Sequence, residues 1–314
     1  MNDGKYLWIT LVLLLTAAIV LPPILPPYWV MLLTQTLIYA IAAMALDLLI
    51  GYTDMASLGQ AGFLAIGAYA AAILFTRYGF GFTESMVAAV LLATVSSAIL
   101  GLLALRASGV YFLMITLAIA MVIWGLIYRW VSMTGGDNGI SGIMRPDLFG
   151  QDMFDPVKFF YFIFVFFLVC LALMMLFIRS PFGKTLIGIK DSETRMIVLG
   201  YNVWLHKYAV FIIAGAFSGV AGGLYAFYNG FVNPNLSDLA HCMAIVLMVT
   251  IGGPGTLIGP IIGAFIIIIL ENIVSIYTER WVMVLAAIYV ITALYAPDGI
   301  LGWIGKLMKS ERAA

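Results

Sequence analysis

Residues 86–105 read MVAAVLLATVSSAILGLLAL, 20 residues without a charged side chain. At about 1.5 Å per helical residue, a run of this length crosses the roughly 30 Å of hydrocarbon in a bilayer. The next run, Val110–Trp130, is as apolar and carries one charge, Arg129, at its end. The chain as a whole follows suit: 64% of its 314 residues are hydrophobic and 10% are charged, against about 45–50% apolar in an ordinary soluble domain. Continuous apolar runs exclude a β-barrel, whose strands alternate, and leave helices that satisfy their own backbone in lipid. The sequence therefore predicts an all-α polytopic membrane protein, one transmembrane domain over 1–314.

Working outward from residues 86–105, ten apolar segments are expected, at 6–21, 29–50, 57–75, 85–105, 109–130, 158–178, 208–229, 239–251, 257–275 and 281–296. Segment 239–251 is short, and reads as a half-helix or one extended by its flanks. The first run lacks a small-x-small cleavage site and ends in Pro22-Pro23, so it reads as a retained helix and not a signal peptide. Placing both termini in the cytoplasm puts Lys5, Arg106, Arg179, Lys184, Lys190, Arg195, Lys207, Lys306, Lys309 and Arg312 on one side. Arg77, Arg129, Arg145, Lys158 and Arg280 fall on the other. The positive-inside rule favours that orientation. It makes 131–157 an external loop and 179–207 a cytoplasmic segment.

The charges exclude several functions. Gly183-Lys184-Thr185 resembles the end of a phosphate-binding loop, but Ile178 stands where its first glycine is required, and Gly305-Lys306 is followed by Leu307. No nucleotide site is expected in this chain, and no metal, nucleic acid or catalytic constellation. Cys170 and Cys242 lie in apolar runs and read as small buried hydrophobes without a disulfide.

Two glycine-rich breaks stand out. The first is GYTDMASLGQAGFLAIGAY, Gly51 to Tyr69, and the second IGGPGTLIGPIIGAF, Ile251 to Phe265. Breaks in corresponding halves point to an internal repeat around a transport path; tight surface turns are the other reading. The path candidates are Tyr52, Asp54, Ser57, Gly59, Gln60, Gly252, Gly253, Pro254 and Gly255. Asp47 and Glu271 are acids in or near the hydrocarbon, where charge is expensive; contact with an ion or solute and contact with a neighbour both stay open. Gly215, Gly219 and Gly223 form GxxxGxxxG, a close-packing helix face. The stretch 180–207 is amphipathic with mixed charge. Asp191-Ser192 and Glu193 are placed to start a short helix that Gly200-Tyr201-Asn202 ends, and a mixed polar face favours docking to a protein over lipid headgroups.

Several blocks in order, including GYTDMASLGQAGFLAIGAYAAAIL, TGGDNGISGI (Thr134 to Ile143), IGGPGTLIGPIIGA and APDGILGW, resemble the permeases of branched-chain amino-acid ABC importers. The likeness runs from about Leu33 to Trp303. TGGDNGI and the long 131–157 loop make the M-type the better match than the H-type. The resemblance implies a second, H-type permease, two cytoplasmic ATPases that hold ATP and Mg, and a periplasmic solute-binding protein, all in a bacterial inner membrane. It assigns ATPase coupling to Thr185, Leu186, Ile189, Lys190, Asp191, Ser192, Glu193, Arg195 and Gly200. The family usually has glycine at Asp54, histidine at Gln60 and commonly asparagine at Asp47, so this chain departs within the first break. Urea or short amides remain alternative solutes; Asn229 and Asn233 join the polar candidates. A secondary transporter using Asp47, Asp54 and Glu271 is the competing class.

Overall fold

The computed structural model describes residues 16, 21–146, 153–277, 283, 284, 286–288, 290 and 299. Seven helices among the described residues are long and apolar enough to cross a membrane, and a shorter apolar helix accompanies them. They are α1 (Pro27–Thr53), α2 (Gln60–Tyr78), α3 (Phe82–Ala104), α4 (Val110–Arg129) and α5 (Pro156–Arg179). Two short helices, α6 (Pro181–Asp191) and α7 (Glu193–Val198), lead to α8 (Val203–Asn229), the short α9 (Leu239–Gly252) and α10 (Ile258–Tyr277). Eight of the ten expected segments coincide with helices. Segment 6–21 falls outside the described residues apart from Thr16 and Leu21, and 281–296 falls largely outside them.

Local chemistry sets the helix ends. Proline opens α1, α5 and α6, where its fixed φ suits the first turn and its missing N–H is no loss. Side chains of Asp155, Ser180, Ser192, Asn202 and Asp238 accept N–H bonds from the first turns of α5, α6, α7, α8 and α9, satisfying donors that have no partner within the helix.

The core forms around α1, buried almost without break from Thr36 to Leu49. Its Thr34 and Thr36 hydroxyls donate back to the carbonyls of Val30 and Leu32, both at 2.8 Å, so neither is stranded in an apolar interior. α8 packs on α1, α2 and α3, while α5 and the α9–α10 pair cover other sides of α1. α3, α4 and α5 turn residues such as Leu91, Val95, Met114, Val122, Val169 and Leu173 outward. That surface suits lipid, in keeping with a multi-pass membrane protein.

Gly215, Gly219 and Gly223 face Ser97, Ala93 and Met86 of α3; a Cβ on Gly219 would lie 2.5 Å from the Ala93 Cβ. On the neighbouring face Gly222 meets the Leu64 backbone of α2. α8 is thus wedged between two helices, and the glycine face lies inside the chain.

The TGGDNG run after α4 is a backbone turn. Thr134 Oγ1 donates to the carbonyls of Ile127 and Trp130 and accepts the N–H of Gly136. Gly139 follows at φ 64°, ψ −162°, a region open to glycine, and leads into β1 (Ile140–Ser141), paired antiparallel with β2 (Phe231–Val232) after α8. The expected all-α class thus acquires one two-residue ladder, too short to show a period in sequence.

Candidate functional site

The two glycine-rich breaks meet. Gly51, in the last turn of α1, lies against the backbone of Gly255, where a Cβ on Gly51 would stand 2.5 Å from the Gly255 Cα. One helical turn earlier, Asp47 aims its carboxylate at the second break. Its Oδ1 accepts the Gly255 N–H at 2.7 Å and its Oδ2 the Leu257 N–H at 3.0 Å. The side chain is 0% exposed, so these charge-assisted bonds stand in for water. Asp54 (φ 55°) and Leu257 (φ 57°) are the non-glycine residues with positive φ among the described residues, one in each break. A branched, bulky residue such as Leu257 is strained there, and its amide is one that Asp47 holds.

The segment between α5 and α8 reaches the same junction. Leu186 and Ile189 are buried and seat α6 on the body of the protein. Lys190 Nζ donates to the Gly51 carbonyl at 2.7 Å, a last-turn oxygen at the end of α1 that the helix dipole makes attractive to a cation. Glu193 forms an ion pair with Lys207. Thr185 folds its hydroxyl back to the Pro181 carbonyl, and Ser192 caps α7. Asp191 and Arg195 are exposed. α7 has no buried residue and displays Ile197, Val198 and Leu199, with Val198 82% exposed. Gly200 (φ 87°) closes it as the Tyr201 N–H returns to the Met196 carbonyl, a left-handed helix end.

A cavity of about 440 Å³ opens between this segment, the end of α1 and the α3–α4 connection. Asp54, Arg106, Lys190, Glu193 and Lys207 supply its charge, and Phe112, Ile189 and Trp204 part of its apolar wall. Asp54 is therefore placed facing α6 and α7.

The other path candidates lie deeper or in the second turn. Tyr52 and Ser57 are buried, and Ser57 Oγ accepts the Gly59 N–H. Leu58 N–H donates to Thr116 Oγ1 of α4 at 3.1 Å. Gln60, 1% exposed, accepts the Ser218 hydroxyl of α8 at 2.7 Å, while its Nε2 has no partner among the described residues. Gly252 packs on the Gly259 backbone, and Gly253 (φ 110°) and Pro254 complete the turn to Gly255. Asn229 and Asn233 flank β2 at the opposite end of α8 and are not brought to the junction. Thr116, Ser218 and Arg106 carry no local signal of a place at this site, since a lone hydroxyl in an apolar helix or a lone loop arginine makes no pattern.

Elsewhere Asp238 caps α9. Burial pushes its carboxyl up, but the His241 ring and backbone N–H outweigh that and hold it below its ordinary value. Glu271 lies half-buried in α10. Among the described residues no group of three or more His, Cys, Asp or Glu is placed to hold a metal.

Comparison with known proteins adds a family. The family described as branched-chain amino acid transport system / permease component matches residues 28–294. The high-affinity branched-chain amino acid transport system permease protein LivM of Escherichia coli K12 is 30% identical over 97% of this chain and 77% of its own length. Its counterpart in Salmonella typhimurium is 30% identical over 85% of this chain and 68% of its own. A probable branched-chain amino acid transport permease protein LivH of Methanocaldococcus jannaschii is 27% identical over 89% and 94%. No solved structure matches the chain.

Proposed function

The chain belongs to the family of branched-chain amino acid transport system permease components, and from that premise we propose that it is the M-type permease subunit of an ATP-binding-cassette importer in a bacterial inner membrane. It carries leucine, isoleucine, valine or similar small polar solutes by alternating access. An H-type permease completes the pore, a periplasmic protein delivers the solute, and two cytoplasmic ATPases hold ATP and Mg.

The observation that carries this reading is the α6–α7 segment. It is seated on the body by Leu186 and Ile189, yet presents a separate face of Arg195, Ile197, Val198 and Leu199 outward. Exposed apolar groups clustered among charges mark a protein docking surface. ATPase closure would move this face and switch the pore between two states. The solute path runs by the first break, where Ser57, Gln60 and Ser218 offer polar groups in an apolar interior. Asp47 already gives both its oxygens to backbone amides, which argues against its use as a coupling-ion site.

The test is reconstitution. Vesicles holding the chain with its ATPases and second permease should take up labelled leucine only with ATP and the binding protein. Ion-gradient-driven uptake by the chain alone would overturn the reading in favour of a secondary transporter.

A further inference from the structure

We propose that Lys190 and Asp47 are positioning residues that work in series: Lys190 carries the movement of α6 to the end of α1, and Asp47 carries it on to the α9–α10 turn, so both glycine-rich breaks shift together. The inference rests on the importer reading above and names how that importer is worked.

Three contacts build the chain of transmission. Lys190 Nζ holds the Gly51 carbonyl at 2.7 Å across 139 positions of sequence. Among the described residues this is the side-chain hydrogen bond that joins α6 to α1. The burial of Leu186 and Ile189 also seats α6, but apolar contacts are non-directional and let helices slide, whereas a hydrogen bond fixes one atom against another. Next, the Gly51 and Gly255 backbones touch without an intervening side chain. Finally, Asp47 clasps Gly255 and Leu257 on either side of Thr256. Close packing of this kind transmits a displacement because it has no soft element to absorb it.

The junction is also built to switch. Asp54 and Leu257 hold left-handed conformations, one in each glycine-rich break. Strained backbone persists only where its surroundings impose it, and the Asp47 carboxylate holds the Leu257 amide. The cavity of about 440 Å³ beside Lys190 gives α6 room to move on the side facing the α3–α4 connection.

The test uses the assembled transporter in vesicles and reads solute imported per ATP hydrolysed. A merely structural residue lowers import and hydrolysis together and leaves that ratio alone. Lys190→Met keeps the stem and removes the donor, and the ratio should fall about tenfold, an ordinary size for coupling between sites. Lys190→Arg, which still donates, should restore most of it. Asp47→Asn keeps one acceptor and should lower the ratio less. In a series arrangement the double variant should be no worse than Lys190→Met alone. An unchanged ratio in Lys190→Met, or losses that multiply in the double variant, would overturn the inference. Absence of ATP-dependent uptake by the unsubstituted complex would instead bring down the importer reading and this inference with it.

Discussion

The Asp47 carboxylate accepts the Gly255 N–H at 2.7 Å although the two residues stand 208 positions apart in sequence. A buried acid in a membrane helix invites an ion-binding role. Here its two oxygens are spent on two backbone amides, and its place at the contact of two glycine-rich breaks makes it a brace. Asp47→Ala leaves the half-buried amide of Gly255 and the buried amide of Leu257 unpaired, and should destabilise the protein by about 2 kcal/mol. Thermal unfolding in detergent measures this; wild-type stability in Asp47→Ala would count against the brace.

Packing on the glycine face of α8 supplies a second expectation. A Cβ at Gly219 meets Ala93 at 2.5 Å, so Gly219→Val should cost about 1–3 kcal/mol through overpacking. Gly125, inside α4, has nothing within 4 Å of such an atom. Gly125→Ala should therefore gain about 0.5–1 kcal/mol from helix propensity. Denaturation midpoints of the two variants should move in opposite directions.

Asp54 ends α1 in a left-handed conformation with its side chain exposed. Glycine adopts that conformation without penalty, so Asp54→Gly should raise stability by about 1 kcal/mol. A fall in unfolding temperature would show that the carboxylate makes a contact worth more than the strain.

Asp238 gives a pH signature. Its carboxyl is held below the ordinary value, so it stabilises the fold above the unfolded-state pKa, and that contribution is lost as pH falls through the folded value. Removing the α9 cap in Asp238→Ala should cost about 1 kcal/mol near neutral pH. The gap between wild type and variant should close on acidification below about pH 4. A gap that stays constant down to pH 3 would rule out the ionised cap.

Much of the fold was legible. The apolar runs at 29–50, 85–105 and 158–178 each coincide with a helix a few residues longer or shorter, because hydrocarbon thickness and the 1.5 Å rise act locally. The short helix expected after Asp191-Ser192 is present as α7, with Ser192 as its cap and Gly200 at its end. α6 was missed as a separate helix, although Ser180 and Pro181 carry its cap and first turn.

The site was legible only as parts. Asp47, Gly51, Lys190 and Gly255 each carry a local signal: an acid in lipid, a break, a polar segment, a turn. That Lys190 Nζ binds the Gly51 carbonyl and that Asp47 clasps the second break could not be read from any of them, nor could the placing of Asp54 and Arg106 on one cavity.

By itself the amino-acid order determined a helical membrane protein, the approximate place of eight of its apolar helices, and the family to which it belongs. Hydropathy, capping and backbone sterics act over a few neighbouring residues, so a linear reading captures them. Only the tertiary structure decided that the two breaks touch and that a lysine from the polar segment grips the same helix end. Those contacts join atoms 139 and 208 positions apart, and they exist only once helices α1, α6, α9 and α10 have packed into one arrangement.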